Sequence, residues 1–284
     1  MLDLTRTVRF CLTPEPADDD TPRSNTYSAW PAPRGLPRYY ELHVTCRGEA
    51  DPRTGYFINI KHIDTAVREH ALPLLRAAVT DEAAAAATPM GKLMRRLFAA
   101  LNPALDHAVT RLGLQLTPRI ELALTPAPGS DPAPGNDPTM DRVQLSQEYE
   151  FSAAHRLHVS EYTDAKNRET FGKCNNPAGH GHNYRVRVVV DAPIDPAGHT
   201  LAVADLDAAV DRHVIEHLDH KHLNHDVPAF ADRNPSVEHI AQVVWGMLVE
   251  ALPLELPGVT LAEVSVWETG KTVCTYRGPT PTPV

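Results

Sequence analysis

One order of predicted elements occurs twice in this chain of 284 residues, and such a repeat limits the fold more than any single motif does. Residues 38–60 and 183–203 both predict a strand, an Asp-Pro turn and a second strand. A helix follows directly in each half, over 61–75 and 204–218. The pattern therefore indicates a tandem of one structural unit.

A stretch rich in Pro, Gly and Asp separates the two halves. Residues 126–141 contain almost no large apolar side chains, which is typical of a semi-extended linker. The chain also exceeds the usual size of one domain. We therefore expect one domain over 1–125, another over 142–278, and a frayed tail at 279–284.

The C-terminal half predicts an α+β domain, in which an antiparallel sheet carries two helices on one face. Apolar residues alternate in its strands and recur at helical spacing in its helices. We expect Asn234 to cap the second helix, Pro235 to take its first position, and a hairpin to turn at Thr269–Gly270. The predicted elements are strands at 143–154 and 184–190, helices at 203–220 and 234–252, and strands at 262–268 and 271–277.

The N-terminal half predicts a similar order. After the helix at 61–75, the sequence predicts a second helix over 91–112 and a strand over 119–125. The fold class is therefore α+β in both halves.

Charge and composition exclude several classes of protein. The formal net charge is −9 and the pI is about 5.9, which argues against a nucleic-acid-binding protein. No apolar run approaches the length of a membrane span, and residues 1–10 lack the features of a signal peptide. We therefore expect a cytoplasmic protein with reduced cysteines and neither a nucleic-acid nor a membrane partner. The 15 histidines favour metal or acid–base chemistry.

The motif "HGH" provides the first candidate site. On a strand, His180 and His182 point to the same face and can share one metal ion. His155, at the end of the predicted opening strand, is the natural third ligand of a zinc ion. A lone H-x-H is also typical of a polar loop beside a strand, and an isolated match favours that interpretation.

A thiol precedes this motif. Cys174 lies six residues before His180, and a nearby cation would favour its thiolate form, which can abstract a proton or attack an electrophile. The alternative is a small, half-buried apolar side chain. We assign that alternative to the other three cysteines, Cys11, Cys46 and Cys274.

The histidine-rich stretch 216–226 contains an Asp-His pair. The carboxylate of Asp219 can orient the imidazole of His220 and support its cationic form, so the pair can relay protons. Histidines near a helix C-terminus are also favoured by the helix dipole. That structural interpretation is preferred for the remaining histidines of the region and for two others, namely His217, His222, His225, His158 and His239.

A carboxylate ends an apolar row near the C-terminus. Val264, Val266 and Glu268 share one face of the predicted strand. If this face lines a pocket, Glu268 can accept two parallel N–H bonds from a guanidine-like ring edge. The alternative is that the strand emerges into solvent at Glu268.

These stretches together resemble one family. "EFSAAHRLH", "FGKCNNPAGHGHNY", "LDHKHLN", "DVPAFADRNPSVEHIA" and "VWETG" are similar to motifs of the 6-pyruvoyl-tetrahydropterin synthase family, over about residues 145–278. The resemblance implies the T-fold, a β-β-α-α-β-β unit whose trimers close a barrel and stack into hexamers. The whole chain would then consist of two tandem T-fold domains.

The resemblance also implies roles for the candidate residues. It places zinc on His155, His180 and His182, makes Cys174 the general base, and makes Asp219 and His220 the proton relay. Sites in the family lie at subunit interfaces, so Cys174 and the Asp-His pair of one site are expected to come from different chains. Three side chains are implied to contact the pterin, with Val237 where relatives often carry a hydroxyl residue: Glu268, Ser236 and Glu238.

The implied reaction is that of a zinc-dependent lyase. It converts 7,8-dihydroneopterin triphosphate into 6-pyruvoyl-tetrahydropterin and releases triphosphate, which a basic patch of Lys173, Arg185 or Lys221 would hold. A second branch of the family forms 6-carboxy-tetrahydropterin for queuosine biosynthesis and releases acetaldehyde, but the five residues "NNPAG" between Cys174 and His180 favour the first branch. A non-catalytic pterin-binding protein with structural zinc is the further alternative.

The N-terminal half lacks these residues. When the halves are aligned on Tyr40 and Tyr184, every chemical position is replaced, which predicts a degenerate T-fold without zinc. Three chains could then form a homotrimer that imitates the hexamer. The replacing residues are Pro14 for His155, Trp30 for Cys174, Leu36 and Arg38 for His180 and His182, Arg76 and Ala77 for Asp219 and His220, and Leu124 for Glu268.

Overall fold

The computed structural model describes residues 1–12, 27, 29–33, 38–79, 88–126 and 141–279. They form two compact units. Unit 1 comprises Met1–Leu145 with Ala192–Thr200, and unit 2 comprises Ser146–Asp191 with Leu201–Val284. Most of the expected linker, residues 127–140, and most of the expected tail, residues 280–284, lie outside the described part of the chain.

Unit 1 is an antiparallel sheet with helices. Its strands lie in the order β1-β2-β3-β4. One π-helical turn, Val67–Ala71, joins its first two helices. The elements are Leu2–Leu12 (β1), Arg38–Gly48 (β2), Ile60–Ala66 (α1), Leu72–Val79 (α2), Met90–Ala104 (α3), Val109–Thr117 (β3) and Ile120–Leu124 (β4).

The second helix of this unit is shorter than the sequence pattern predicts. The helix expected over 91–112 ends at Ala104, and β3 begins at Val109. Asp106 and His107 adopt positive φ angles of 54° and 60°, which ends the helix, and the Asn102 side chain accepts a hydrogen bond from the Val109 amide at 3.1 Å. The prediction was wrong because the apolar residues that follow Ala104 fit both the spacing of a helix and the alternation of a strand.

The predicted second strands after the Asp-Pro turns are also absent from the described residues. Residues 49–59 form turns, because Asp51 accepts hydrogen bonds from the amides of Arg53 and Thr54 at 2.8 and 2.9 Å. In the C-terminal half, Asp195 closes a similar turn on His199, and the chain enters a helix at Val203. The turn chemistry was predicted correctly, but no strand follows either turn.

A charged network covers one side of the unit 1 sheet. Glu121 accepts hydrogen bonds from His43 at 2.9 Å and from Arg111 at 2.8 Å. A Cβ at Gly113 would collide with the Glu121 carboxylate in its present position, so glycine leaves room for this arrangement. Burial acts to raise the pKa of Glu121, but the bonds from His43 and Arg111 outweigh it and lower the pKa to about 2.

This network gives a pH-dependent contribution to stability. Because the folded pKa of Glu121 lies below its unfolded value, its contribution is full above about pH 4.5 and is lost as the pH falls towards about 2. We expect Glu121→Gln to lower the free energy of unfolding of unit 1 by up to about 3 kcal/mol at pH 7 and by almost nothing at about pH 2. Urea unfolding followed by circular dichroism at several pH values measures this, with the exposed Glu49→Gln as control. A difference independent of pH would contradict the assignment.

Unit 2 has a similar composition of elements. Its sheet order is β5-β6-β8-β9, and the short strand β7 pairs in parallel with β5. One π-helical turn, Asp211–Ile215, and two 3-10 turns, Gly172–Asn175 and Pro228–Phe230, complete the unit. The remaining elements are Arg142–His155 (β5), Asp164–Phe171 (α4), His180–Pro193 (β6), Val203–Val210 (α5), Glu216–Leu218 (α6), Lys221–His222 (β7), Leu223–Asp226 (α7), Val237–Leu248 (α8), Ala251–Glu255 (α9), Thr260–Thr269 (β8) and Thr272–Tyr276 (β9).

The fold is α+β, and the predicted order of two strands, two helical regions and a closing hairpin is present in unit 2. The expected cap of α8 is wrong. Ser236, not Asn234, is the N-cap, and its side chain accepts from the His239 amide. The Asn234 side chain instead accepts from the His158 amide at 2.7 Å, which keeps it outside the helix.

One helical stretch passes a composition test for membrane spans. Among the described residues, only Val237–Glu255 is long and apolar enough by length and hydropathy. In the structure it is divided into α8 and α9, and α8 packs its apolar face against β8 and β9. A helix that packs in the core of a globular unit passes the same test, so this stretch is weak evidence for a membrane.

Candidate active site

Three imidazoles meet where β5 ends and β6 begins. His155 is the last residue of β5 and is fully buried, while His180 and His182 open β6 and share one face. The Nε2 atoms of His155 and His180 are 3.2 Å apart. One ring nitrogen from each residue lies within 4.8 Å of the others. The structure thus brings together the three histidines that the sequence singled out.

The ring of His155 is held in one orientation. Its Nδ1 donates to the Pro235 carbonyl at 2.7 Å, which leaves Nε2 free to face His180. Burial is the largest cause that lowers the pKa of His155 and of His180, so both rings favour the neutral form. Neutral imidazole is the form that binds a metal ion.

The donor set fits a metal ion. The Nε2 atom of His182 is buried and has no hydrogen-bond partner among the described residues. Buried polar atoms normally have a partner, so this orphaned nitrogen favours an ion between the three rings. Three imidazole ligands with one coordination position left open are typical of a catalytic metal centre.

Glu268 borders the same centre. It follows the buried Val264 and Val266 on one face of β8. Its Oε1 lies 3.4 Å from His155 Nε2 and 3.6 Å from His182 Nε2. The carboxylate therefore faces the triad and does not simply emerge into solvent.

Cys174 lies in the 3-10 turn Gly172–Asn175 and is half-buried. Its carbonyl accepts from the Leu157 amide at 2.9 Å, two residues beyond His155. Burial, followed by the charge of Glu268, raises the pKa of the Cys174 thiol. The protein groups alone therefore favour the thiol, and a thiolate at neutral pH requires a nearby cation.

The Asp-His pair lies at the end of the long helical region. The helix predicted over 203–220 ends at Leu218, since Asp219 is extended and His220 has a φ of 54°. Asp219 accepts from the Ser152 amide at 2.7 Å with one oxygen and contacts His220 Nδ1 at 2.7 Å with the other. The bonds from Ser152 and His220 lower the pKa of Asp219, so its carboxylate stays charged and orients the imidazole.

A surface cleft of about 690 Å³ lies beside His220, and its lining includes neither His155, His180, Cys174 nor Asp219. His182 and His220 both line it, and so does His222, which the sequence pattern left as a structural histidine. β7 explains this position, because its pairing with β5 sets His222 opposite Ala154. No pattern over 216–226 could reveal a two-residue parallel strand.

The other predicted contacts lie nearby or elsewhere. Ser236 caps α8, and its hydrogen bond is the largest cause that lowers the pKa of Glu238. Lys221 lines the cleft. Arg185 does not join them, because its guanidinium lies 4.3 Å over the Trp267 ring and 3.5 Å from Glu148.

Lys173 lines a second cavity, of about 470 Å³. Arg156 and Arg168 line it as well, together with the carboxylate of Asp164. The Nε of Arg156 is buried and has no partner among the described residues. The sequence pattern did not single out Arg156 or Arg168, although Arg156 directly follows the triad residue His155.

Known proteins are similar in sequence to the half of the chain that contains these residues. The family model "6-pyruvoyl tetrahydropterin synthase" matches residues 144–279. The human protein 6-pyruvoyl tetrahydrobiopterin synthase is 44% identical over 138 residues, which are 48% of this chain and 92% of the human one. The chain belongs to the 6-pyruvoyl tetrahydropterin synthase family.

Two other members of the family are similar to the same half. The guppy (Poecilia reticulata) 6-pyruvoyl tetrahydrobiopterin synthase is 44% identical over 129 residues, covering 45% of this chain and 85% of that protein. The solved structure of the Caenorhabditis elegans 6-pyruvoyl tetrahydropterin synthase is 36% identical, with a TM-score of 0.45, over 49% of this chain and 96% of that one. The residues matched by the family model, 144–279, comprise most of unit 2 together with residues 144–145 and Ala192–Thr200 of unit 1.

Proposed function

We propose that unit 2 is a zinc-dependent lyase that converts 7,8-dihydroneopterin triphosphate into 6-pyruvoyl-tetrahydropterin and triphosphate. The observation that carries the proposal is the cluster of three imidazoles where β5 ends and β6 begins, bordered by Glu268, in a half of the chain that is 44% identical over 138 residues to the human 6-pyruvoyl tetrahydrobiopterin synthase. A purely structural metal site would need neither Cys174 nor the Asp-His pair.

Each residue has a proposed task in the reaction. A zinc ion held by His155, His180 and His182 would supply Lewis acidity that makes the C–H bonds of the substrate side chain more acidic. Cys174 takes the proton as general base, and Asp219 keeps His220 oriented to move protons at the cleft. Glu268 accepts N–H bonds from the pterin ring edge, with Ser236 and Glu238 beside it. The oxidation of the side chain is balanced by reduction of the ring, so no external redox cofactor is required.

Product analysis tests this proposal against its alternatives. The purified full chain is incubated with zinc and dihydroneopterin triphosphate. We expect release of triphosphate without acetaldehyde. Acetaldehyde would instead identify the 6-carboxy-tetrahydropterin synthase of queuosine biosynthesis, and binding without turnover would identify a pterin-binding protein with structural zinc.

The cavity lined by Arg156, Arg168 and Lys173 is the proposed site of the triphosphate. It offers three cations against the single carboxylate of Asp164. Arg168→Gln should raise KM for the triphosphate substrate by about tenfold and leave kcat within about threefold, because the bond is made equally in the ground and transition states. Lys166→Gln is the matched control, since Lys166 is on the same helix and pairs with Glu169. An unchanged KM in Arg168→Gln would place the triphosphate elsewhere.

We propose that the chain is a tandem of two T-fold domains, 1–125 and 142–278, with unit 1 as a degenerate copy. The strand registers support this but change one alignment. In unit 1, Leu112 lies between its strand partners Val44 and Leu124. In unit 2, Val264 lies in the same way between Val188 and Tyr276. Leu124 is therefore the counterpart of Tyr276, and Leu116 takes the place of Glu268. The sequence alignment was wrong there because the first four residues of β3 were predicted as helix and the rest of β3 was not predicted as a strand. Of the other replacements, Pro14 and Leu36 lie outside the described residues.

We propose further that the protein is a cytoplasmic homo-oligomer, with three chains imitating a hexamer. The family membership supports assembly. Multi-angle light scattering at micromolar concentration measures the mass, and a single-chain mass would exclude the trimer.

A further inference from the structure

A short segment directly after His155 is held almost entirely by asparagine side chains. Residues 156–159 have no regular secondary structure and are half-buried, so their backbone groups need partners. The amide and carbonyl of Arg156 both bond Asn224, at 2.8 and 3.0 Å. The amide and carbonyl of Val159 both bond Asn167, each at 2.9 Å. We call this segment the clamped strand end.

The two middle residues of the clamped strand end are tied to other parts of the site. The amide of Leu157 donates to the carbonyl of Cys174 at 2.9 Å, and the carbonyl of Leu157 accepts from Asn175 Nδ2 at 2.7 Å. The amide of His158 donates to the Asn234 side chain at 2.7 Å. The residue next to Asn234 is Pro235, whose carbonyl holds the ring of His155.

Leu157 is therefore the point at which the thiol loop joins the metal-ligand strand. Its amide donates to the carbonyl of Cys174, and its carbonyl accepts from the side chain of Asn175. Both of these partners belong to the 3-10 turn Gly172–Asn175. Asn175 is buried, and its amide nitrogen also lies 3.0 Å from His158 Nδ1. The amide nitrogen of Asn175 thus supplies two N–H groups, one to the Leu157 carbonyl and one to His158 Nδ1. An aspartate carboxylate has the same shape but no N–H group to donate.

We propose that Asn175 is a positioning residue that holds Cys174 in place relative to the histidine triad. It acts through Leu157, which lies two residues from His155. The inference rests on the proposed role of Cys174 as general base. A base must lie within hydrogen-bond reach of its proton, and a displacement of about 1 Å can lower the rate about 100-fold.

The test replaces Asn175 by aspartate in the full chain. The carboxylate would face the carbonyl of Leu157 and lose both donated bonds, so the turn should shift away from the clamped strand end. We expect kcat to fall by at least about tenfold and bound zinc to be unchanged. KM should rise as well, because Asn175 lines the cavity proposed for the triphosphate and an added carboxylate there repels it. We also expect the iodoacetamide alkylation rate of Cys174 in the zinc-loaded protein to change by at least about fivefold, with Cys174→Ala giving the background.

The matched control is Asn167→Asp, which removes an equivalent side-chain amide at Val159, the last residue of the clamped strand end. Asn167 lies on α4, and its side chain bonds the backbone of Val159 and the carbonyl of Tyr162. It should lower the melting temperature but keep kcat within about threefold. If Asn175→Asp does not fold, the neutral Asn175→Ser carries the same measurements.

Several results would overturn the proposal. Unchanged kcat and unchanged alkylation in Asn175→Asp would show that the thiol does not depend on this residue. A common loss of activity and zinc in both variants would reduce Asn175 to general stability. If the wild-type protein shows no turnover, the proposed function fails, and the alkylation rates and zinc content still decide the positioning role by themselves.

Discussion

Cys174→Ala should lower kcat by about 1,000-fold, in the middle of the range that general acid–base catalysis contributes, and should leave bound zinc unchanged. The three proposed ligands are imidazoles on β5 and β6, so the metal does not depend on the thiol. The alanine keeps the carbonyl that accepts from Leu157, and the turn therefore stays in place. Steady-state kinetics with dihydroneopterin triphosphate and metal analysis by mass spectrometry measure both quantities.

The chain offers a matched control for this experiment. Cys274 on β9 is also a free, half-buried cysteine whose pKa is raised by burial. Cys274→Ala should keep kcat within about twofold, because Cys274 lies near Glu238 but has no part in the proposed proton transfer. Full activity of Cys174→Ala would show that another group is the base, and loss of zinc would make the thiol a ligand.

The pKa of the Cys174 thiol depends on whether a metal ion is bound. The protein groups raise the pKa of Cys174, whereas a bound cation lowers it. The general base would then be active only in the metal-loaded protein. This would link the two halves of the motif at 173–184, since the metal ion that the histidines would hold supplies the positive charge that a thiolate of Cys174 requires.

Local spacing predicted the parts of the site that lie on regular strands. His180 and His182 share a face because strand side chains alternate, and Glu268 follows Val264 and Val266 for the same reason. The end of β5 placed His155 nearby. These predictions needed only the period of a strand and the order of elements.

The connections between these parts could not be predicted from spacing. The positive φ of His220, the strand pairing that brings His222 to the cleft, and the bonds from Leu157 to Cys174 and Asn175 all depend on residues distant in sequence. Asn234 shows the difficulty well. As a polar residue before a helix it is a good N-cap, but the tertiary bond to His158 takes its side chain and leaves the cap to Ser236.

His180→Ala should weaken zinc binding by more than about 100-fold, since the loss of a partner that only orients a ligand already lowers affinity 10- to 100-fold. The change removes one of three imidazoles and leaves His155 and His182, which cannot complete a tetrahedral site with one open position. Competition with a chromophoric chelator measures the affinity directly. Metal should also stabilise the wild-type protein against unfolding by about 3 kcal/mol at 100 times Kd, and the variant hardly at all.

His225→Ala is the control for the weakened zinc binding of His180→Ala, because it removes a histidine that is not a proposed ligand. His225 is exposed and packs on the ring of His222 at 4.3 Å between centroids, outside the triad. The control should bind zinc as the wild type does, within about twofold, because no ligand is removed. Equal weakening by both substitutions would mean that the metal is bound by the histidine-rich stretch 216–226, and the roles of β5 and β6 in holding it would have to be abandoned.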